Sequence, residues 1–296
     1  MTRLLDGKAL AQQLRQEIAE EVQQLKAQGK LPPHLAAVLV GDNGASVAYV
    51  NSKVKDCQSV GFQFSLVYLP VTISEGELLE EVRKLNEAPL VDGFIVQLPL
   101  PPQIDKEKII MAIDPDKDVD GFHPMNFGKM ALEMPAFIPA TPFGILTLLE
   151  HYHIQTRGKY TVVIGRSRIV GKPISLLMGR KGAPGDSTVT LTHSHTSEVV
   201  HFSRQADIVI TALGVPGFLR SEMIKEGAVL IDVGISRVAD PSSLKAYRLV
   251  GDVDFKSVYG KASYLTPVPG GVGPMTRAML LKNTLLAVKR RYPSHL

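Results

Sequence analysis

The run Tyr160 to Pro173, YTVVIGRSRIVGKP, carries residues that can hold a phosphate. An apolar strand breaks at Gly165, turns through a short polar loop and re-enters a helix near Val170. At such a junction unpaired backbone N–H groups and the positive end of the helix dipole face the loop, where the pyrophosphate of a nucleotide can bind. Gly165 and Gly171 supply the sharp turn and the close backbone approach. The spacing departs from GxGxxG: Ser167 stands at the second Gly and the last Gly arrives one residue late. The loop by itself therefore also fits an ordinary strand-to-helix turn. Arg166, just after the strand, offers a guanidinium that can take a phosphate bidentately.

Other groups could also do chemistry. Tyr49 and Lys53 lie four residues apart in a segment whose Val47, Val50, Val54 and Cys57 recur at helical spacing. At about 100° per residue the four apolar side chains form a core stripe, and Tyr49 and Lys53 share a face turned about a right angle from it. From there they can look into a cleft, or simply be solvated. Cys57, on the stripe, reads as packing rather than as a nucleophile. The strand 91–98 ends in QLPLPP, which sets Gln97 and its prolines at the carboxyl end of a parallel strand, the edge where open α/β sheets bind ligands. The prolines must lead the chain stiffly away, and a cis bond is one way to do so. The loop PDKDVDGFHP, 115–124, gathers three carboxylates after Asp114, one of which can point inward, but lacks the Gly and Glu positions of an EF-hand. His193 and His195 form an HxH after a strand, as in barrel amidohydrolases. Such a pair needs further His and Asp ligands on a larger barrel, so no metal is expected. The loop TPVPGGVGPMT, 266–276, is so rich in glycine that it must approach something closely.

The elements that must position these residues follow from periodicity. Asp6 can cap a helix with Leu10, Leu14, Ile18, Val22 and Leu25 on one stripe, ended by Gly29. Strand Leu35–Val40, helix Ser46–Val60, strand Phe62–Leu69, helix Ser74–Leu85 with a Ser74/Glu77 capping box, and strand Val91–Leu98 give a βαβαβ order and a parallel sheet. Thr141, as cap before Pro142, starts a bridging helix to about His153. Strands at 160–165, 187–192, 207–212 and 228–233, with 248–253 as a fifth, make a second α/β series. Their loops THSHTS, LGVPG, DVGIS and GDVDF are expected to line one nucleotide-binding edge with Gly and Asp. A last amphipathic helix runs through Leu280, Leu281, Leu285, Leu286 and Val288.

The totals set limits. With 296 residues, 45% of them hydrophobic, the chain can build two domains with cores. A net charge of +4, from 33 Lys plus Arg against 29 Asp plus Glu, is mild for this length, and no nucleic-acid motif or dense basic stripe is present. One cysteine rules out an internal disulfide framework and suits a reducing compartment. No signal peptide or membrane span is read, so a cytoplasmic protein is expected.

Taken together, the segments 40–62, 92–101, 115–124, 140–145, 162–173 and 266–276 resemble the bifunctional methylenetetrahydrofolate dehydrogenase/cyclohydrolase family, in the same order and over nearly the whole chain. The resemblance implies NADP-dependent oxidation of 5,10-methylenetetrahydrofolate to the methenyl form, then hydrolysis to 10-formyltetrahydrofolate. It implies two α/β domains with the folate cleft between them. Residues 1–140 would form the catalytic domain, 141–274 a Rossmann-like NADP-binding domain, and 275–296 a helix returning to the first; the protein would be a homodimer. Lys53 matches the catalytic lysine, Gln97 its hydrogen-bond partner, Tyr49 the ring that stacks on the folate, and Asp120 the pterin-binding carboxylate. Leu98, Pro99, Pro269, Gly270 and Gly271 would also meet the substrate. Thr141, Gly165, Arg166, Ser167, Val170, Gly171, Ser194, Gly214 and Ile235 would meet the cofactor, Arg166 at the 2′-phosphate and Ser194 as a second contact to it. Lys53 would have to titrate near working pH, through desolvation or a nearby cation such as Lys55. One departure is Ala140, where the family usually has Cys.

Three other readings compete. Another dehydrogenase class would share the second domain but not the 40–62 motif; a polyanion-binding module would show a steep loss of affinity with salt. A dehydrogenase without cyclohydrolase activity is disfavoured by the presence of both Lys53 and Gln97.

Overall fold

The computed structural model describes residues 1–242 and 246–292. They fall into two compact units: a first of residues from Gln12 to Ala140 and from Arg277 onward, and a second of Met1–Ala11 and Thr141–Thr276. Among the described residues no helix is long and apolar enough to cross a membrane.

The first unit is built on a parallel sheet of β2 (His34–Val40), β3 (Gln63–Leu69) and β4 (Gly93–Val96), ordered β3-β2-β4. Successive residues of β2 enter opposite cores. Leu35 and Ala37 join Ile95 in packing against Ile18 and Val22 of α1 (Gly7–Ala27), Cys57 of α2 (Gly44–Ser59) and Leu280, Leu281 and Leu285 of α10 (Val272–Arg291). Ala36, Val38 and Val40 join Phe94 and Val96 against Leu78, Val82 and Leu85 of α3 (Glu75–Glu87) and Ile109 of α4 (Lys106–Ala112). Cover on both faces is why β2 is a continuous apolar run rather than an alternating one. The expected caps form. Asp6 Oδ1 accepts from Ala9 N at 2.9 Å, and Ser74 with Glu77 closes a full capping box on α3. Asn283 of α10 donates to the Val119 and Ile138 carbonyls at 2.8 and 2.9 Å, which ties that helix to the loops after α4 and before residue 140.

The second unit holds a parallel sheet with strand order β1-β11-β8-β7-β5-β6. Its strands are β1 (Arg3–Leu4), β5 (Tyr160–Ile164), β6 (Thr188–Thr192), β7 (Ile208–Thr211), β8 (Val229–Asp232) and β11 (Tyr264–Leu265). Several sequence expectations fail here. The segment 248–253 is not a strand of this sheet: β10 (Tyr247–Val250) pairs antiparallel with β9 (Ser236–Ala239) as a separate hairpin. The place beyond β8 goes to the two-residue strands β11 and β1, so Met1–Ala11 groups with the second unit rather than with residues 12–140. The bridging helix α6 spans Ala140–His151, so Thr141 lies inside its first turn instead of capping it, and its hydroxyl meets that of Thr276 at 2.9 Å. The helix expected to reach residue 296 ends at Arg291, and residues 293–296 lie outside those described.

Candidate active site

In the second unit the chain reverses direction across the sheet after β5. β6 lies on one side of it and β7 on the other. This order of strands places a ligand-binding crevice at the carboxyl ends of β5 and β7. The loop Gly165–Val170 stands there, ahead of α7 (Gly171–Gly179). Its glycines are required by close packing of the chain on itself. Gly165 has φ 120°, and a Cβ on it would lie 2.3 Å from the Ala212 carbonyl oxygen; one on Gly171 would lie 1.9 Å from the Gly165 carbonyl oxygen. Ser167 behaves differently from the glycine it replaces: its Oγ accepts from the backbone N–H groups of Val170 and Gly171, both at 3.2 Å. Two of the donors expected to be open to a phosphate are thus held by the loop's own hydroxyl, which a bound phosphate would have to displace. Arg166 and Ser194 are exposed, in the loops after β5 and β6. The His193 imidazole is held below its ordinary range by partial burial and by the positive charge of Arg166 nearby. Gly214 (φ 72°) and the exposed Ile235 follow β7 and β8.

The acidic residues of these loops are not turned toward a ligand, contrary to the sequence expectation. Asp232 is buried and accepts from the N–H groups of Gly234, Asp252 and Val253 at 2.9 to 3.0 Å, while desolvation pushes its carboxyl up to about 6. Asp252, fully buried, accepts from Leu213, Gly214 and Val215. Each carboxylate braces its neighbouring loops by taking backbone donors that would otherwise be orphaned. Pro269, Gly270 and Gly271, expected against the substrate, form the turn just ahead of α10. Gly270 O accepts from Lys8 N at 2.8 Å, and Gly271 is buried against Pro267 and Thr266.

In the first unit, Tyr49, Lys53, Gln97 and Asp120 converge. Lys53 is only 5% exposed, more buried than Val47 and Val54, which are half-buried members of the predicted stripe. A buried ammonium needs partners. Lys53 Nζ donates to Gln97 Oε1 at 3.2 Å and lies 4.6 Å from the centre of the Tyr49 ring, a cation–π contact. Gln97 is oriented in turn by its own Nε2, which donates to the Leu98 carbonyl at 2.7 Å, and the Leu98–Pro99 bond is cis. Desolvation holds the Lys53 amine below the ordinary lysine range, against the charge of Asp120. Lys55, exposed on the helix, has no part in this. Burial raises the Asp120 carboxyl and Lys53 lowers it. The same burial pushes the Tyr49 phenol up to about 12, helped by Asp120. Cys57, fully buried and with its thiol pushed up to about 12, is packing. Asp118 serves structure, accepting from Phe122 N, His123 N and Asn126 Nδ2 to fix the loop that carries Asp120. Among the described residues no three His, Cys, Asp or Glu side chains group to hold a metal.

Reading the sequence for motifs misses a buried ion cluster beside this site, formed by Asp56, Arg15 and Arg277. The one signal for it is a carboxylate in the same helix as an apolar stripe.

A parallel-sheet unit with a dinucleotide-type loop, joined in one chain to a unit presenting a desolvated lysine beside a tyrosine and a carboxylate, defines a two-domain α/β enzyme of the dehydrogenase class. The models for the tetrahydrofolate dehydrogenase/cyclohydrolase catalytic domain and NAD(P)-binding domain match residues 5–120 and 139–292. The chain is 66% identical over 288 residues to the bifunctional protein FolD of Flavobacterium johnsoniae, covering 97% of this chain and 98% of that one. Among solved structures, the bifunctional FolD of Campylobacter jejuni superposes with a TM-score of 0.93 at 45% identity, over 98% of this chain and 100% of the other. The Trypanosoma brucei dehydrogenase-cyclohydrolase, complexed with NADP cofactor and inhibitor, superposes with 0.93 at 40% identity, over 99% of each. The chain belongs to the tetrahydrofolate dehydrogenase/cyclohydrolase family, and is a bifunctional enzyme.

Proposed function

We propose that the chain oxidises 5,10-methylenetetrahydrofolate to 5,10-methenyltetrahydrofolate with NADP and hydrolyses the product to 10-formyltetrahydrofolate, using Lys53 as the proton-transfer group of the second reaction. The observation that carries this is the desolvated Lys53 amine held between Gln97 and the Tyr49 ring in the same unit as Asp120. Tyr49 gives a flat surface on which the folate can stack. Asp120, an acceptor-only carboxylate when ionised, can take two N–H bonds from the pterin's amino and ring nitrogens, and a ring that lacks them would leave it unpaired. Leu98 and Pro99, the half-buried and exposed residues after Gln97, are the apolar part of this wall. When bound, NADP supplies the hydride acceptor for the first reaction. The residues proposed to hold it are Gly165, Arg166, Ser167, Val170, Gly171, Ser194, Gly214, Ile235 and Thr141; the pyrophosphate would take the Val170 and Gly171 N–H groups from the Ser167 hydroxyl at the head of α7. Pro269, Gly270 and Gly271 remain substrate-binding residues in this reading. In the second reaction the neutral Lys53 amine takes a proton from the water that adds to the methenyl carbon and gives it to N5 as the bond between N5 and that carbon breaks. The remaining hydroxyl proton leaves to solvent as the N10-formyl group forms; Gln97 keeps the lysine nitrogen in place.

One assay that follows NADPH and methenyl-folate absorbance together tests the pair of activities. NADPH should form only with the methylene-folate present, and added methenyl-folate should decay faster than in buffer. NADPH formation with hydrolysis at the buffer rate would reduce the protein to a monofunctional dehydrogenase.

Arg166→Ala should raise the KM for NADP far more than that for NAD, since the guanidinium's partner is a phosphate that NAD lacks. Equal effects on both would remove Arg166 from the 2′-phosphate. The family resemblance also supports a homodimer in the cytoplasm; sedimentation at micromolar concentration should return twice the chain mass, and a monomer would contradict it.

A further inference from the structure

Lys53 and Asp56 lie one turn apart on α2, the spacing at which an ammonium and a carboxylate on a helix ordinarily pair. Here each has other partners. Lys53 Nζ donates to Gln97. The Asp56 carboxylate sits between two guanidiniums from other helices, with Arg277 Nη1 of α10 at 3.1 Å from Oδ2 and Arg15 Nη1 of α1 at 3.9 Å from Oδ1. Asp56 is 9% exposed, and its Oδ2 and the Arg15 Nη1 are both shut off from solvent without a hydrogen bond. At Oδ2 the carboxylate is therefore held by the charge of Arg277 rather than by a hydrogen bond. Burial drives its carboxyl up, and Arg277 first, then Arg15, pull it back. A buried carboxylate with an unfilled acceptor takes whatever donor comes within reach. The cation one turn back on its own helix is Lys53.

We propose that Arg277, assisted by Arg15, is a positioning residue for the cyclohydrolase reaction: by holding Asp56 it keeps that carboxylate off the Lys53 ammonium and leaves the amine to Gln97. This rests on the reading of Lys53 as the proton-transfer group, but the protonation of Lys53 can be measured without it. The titratable groups that face Lys53 are Tyr49 and Cys57 on α2 and Asp120 from the loop after α4; the partner from β4, Gln97, is neutral, and Asp56, one turn on, does not act on the amine while the two guanidiniums hold it. Arg277 from α10 and Arg15 from α1 face Asp56. Asp120 already favours the ammonium against desolvation, and a second carboxylate would add to it.

The test follows the Lys53 titration by NMR with 13C-labelled lysine, assigned by its loss in Lys53→Met, beside the pH profile of methenyl-folate hydrolysis. In Arg277→Met the Lys53 midpoint and the acid limb of hydrolysis should both move to higher pH by about one unit or more. Hydrolysis at neutral pH should then fall about tenfold through kcat, with the folate KM little changed. Arg277→Lys should restore most of the wild-type profile, and Arg277→Met combined with Asp56→Asn should return the midpoint to its wild-type value or below. A Lys53 midpoint that stays put in Arg277→Met, or that stays raised in the double variant, would overturn the proposal. A midpoint that moves while the hydrolysis profile does not would uphold the hold on Asp56 and instead overturn the role given to Lys53. Should Arg277→Met not fold, Arg277→Gln makes the same comparison.

Discussion

Lys53→Met should lower methenyl-folate hydrolysis by about 10²- to 10⁴-fold, the range that a positioned proton-transfer group contributes. Methionine keeps the bulk of the lysine stem and removes the titrating nitrogen, so the packing beside Tyr49 and Cys57 changes little. The loss should fall on one reaction, because hydride transfer needs two aligned rings and places no demand on an amine. Dehydrogenase activity should therefore suffer less, and methenyl-folate should accumulate in the coupled assay. The pH dependence should change as well. Desolvation lowers the Lys53 pKa, so the neutral amine appears as pH rises through a value below the ordinary lysine range. Wild-type hydrolysis should rise over that interval, and Lys53→Met should lack the rise. Hydrolysis at the wild-type rate in the variant would make Lys53 a positioning residue at most. Loss of both activities with folate binding intact would mean that the amine also orients the ring for hydride transfer.

The contrast between Lys53 and its neighbours shows what a sequence can and cannot reveal. The helix of residues 44–59 is legible from the spacing of Val50 and Cys57, yet that same spacing ranks Lys53 as more solvated than Val54, and the structure reverses them. Helical periodicity records which residues tolerate burial by their own chemistry. Lys53 is buried because Gln97 at the end of β4 and Asp120 in a distant loop supply an acceptor and a countercharge, and those come together only in the fold. The sheet of the second unit repeats the lesson. Its long strands read as apolar runs, but β1 and β11 have two residues each, too few to carry any period. The run from Arg248 to Val253 is apolar at Leu249, Val250 and Val253, but Gly251 and Asp252 interrupt it: a Cβ on Gly251 would lie 1.8 Å from the Asp232 carboxylate, and Asp252 is taken up by the backbone of the adjacent loop. The Asp residues of these loops suggested ligand contacts; in the fold their acceptors are consumed by the backbone N–H groups of adjacent loops. Arg277 carries no local signal at all, since its partner is a carboxylate some 220 positions earlier.

Asp120→Ala should abolish the distinction between the two activities that Lys53→Met is expected to draw. Two hydrogen bonds from pterin nitrogens to a charged acceptor are worth about 1.5 to 3 kcal/mol each, and losing both should lower kcat/KM for dehydrogenase and cyclohydrolase alike by about 10²- to 10⁴-fold. The effect should appear as weakened folate binding, measurable as a raised Kd for a non-reacting folate analogue, with NADP affinity unchanged. A second consequence has the opposite sign for chemistry. Asp120 is the main charge that favours protonated Lys53, so its removal should shift the acid limb of the remaining hydrolysis to lower pH. Asp120→Asn separates the two consequences. It also removes the charge and should give the same shift, but its amide can turn an oxygen toward one pterin N–H while its own NH₂ faces the other, so it should bind folate better than the alanine variant and worse than wild type. Should Asp120→Ala keep its folate affinity while the hydrolysis limb moves, Asp120 would be an electrostatic partner of Lys53 and the pterin would be held by other groups. A loss confined to hydrolysis would point the same way, because a residue that anchors the ring common to both substrates cannot spare one of them.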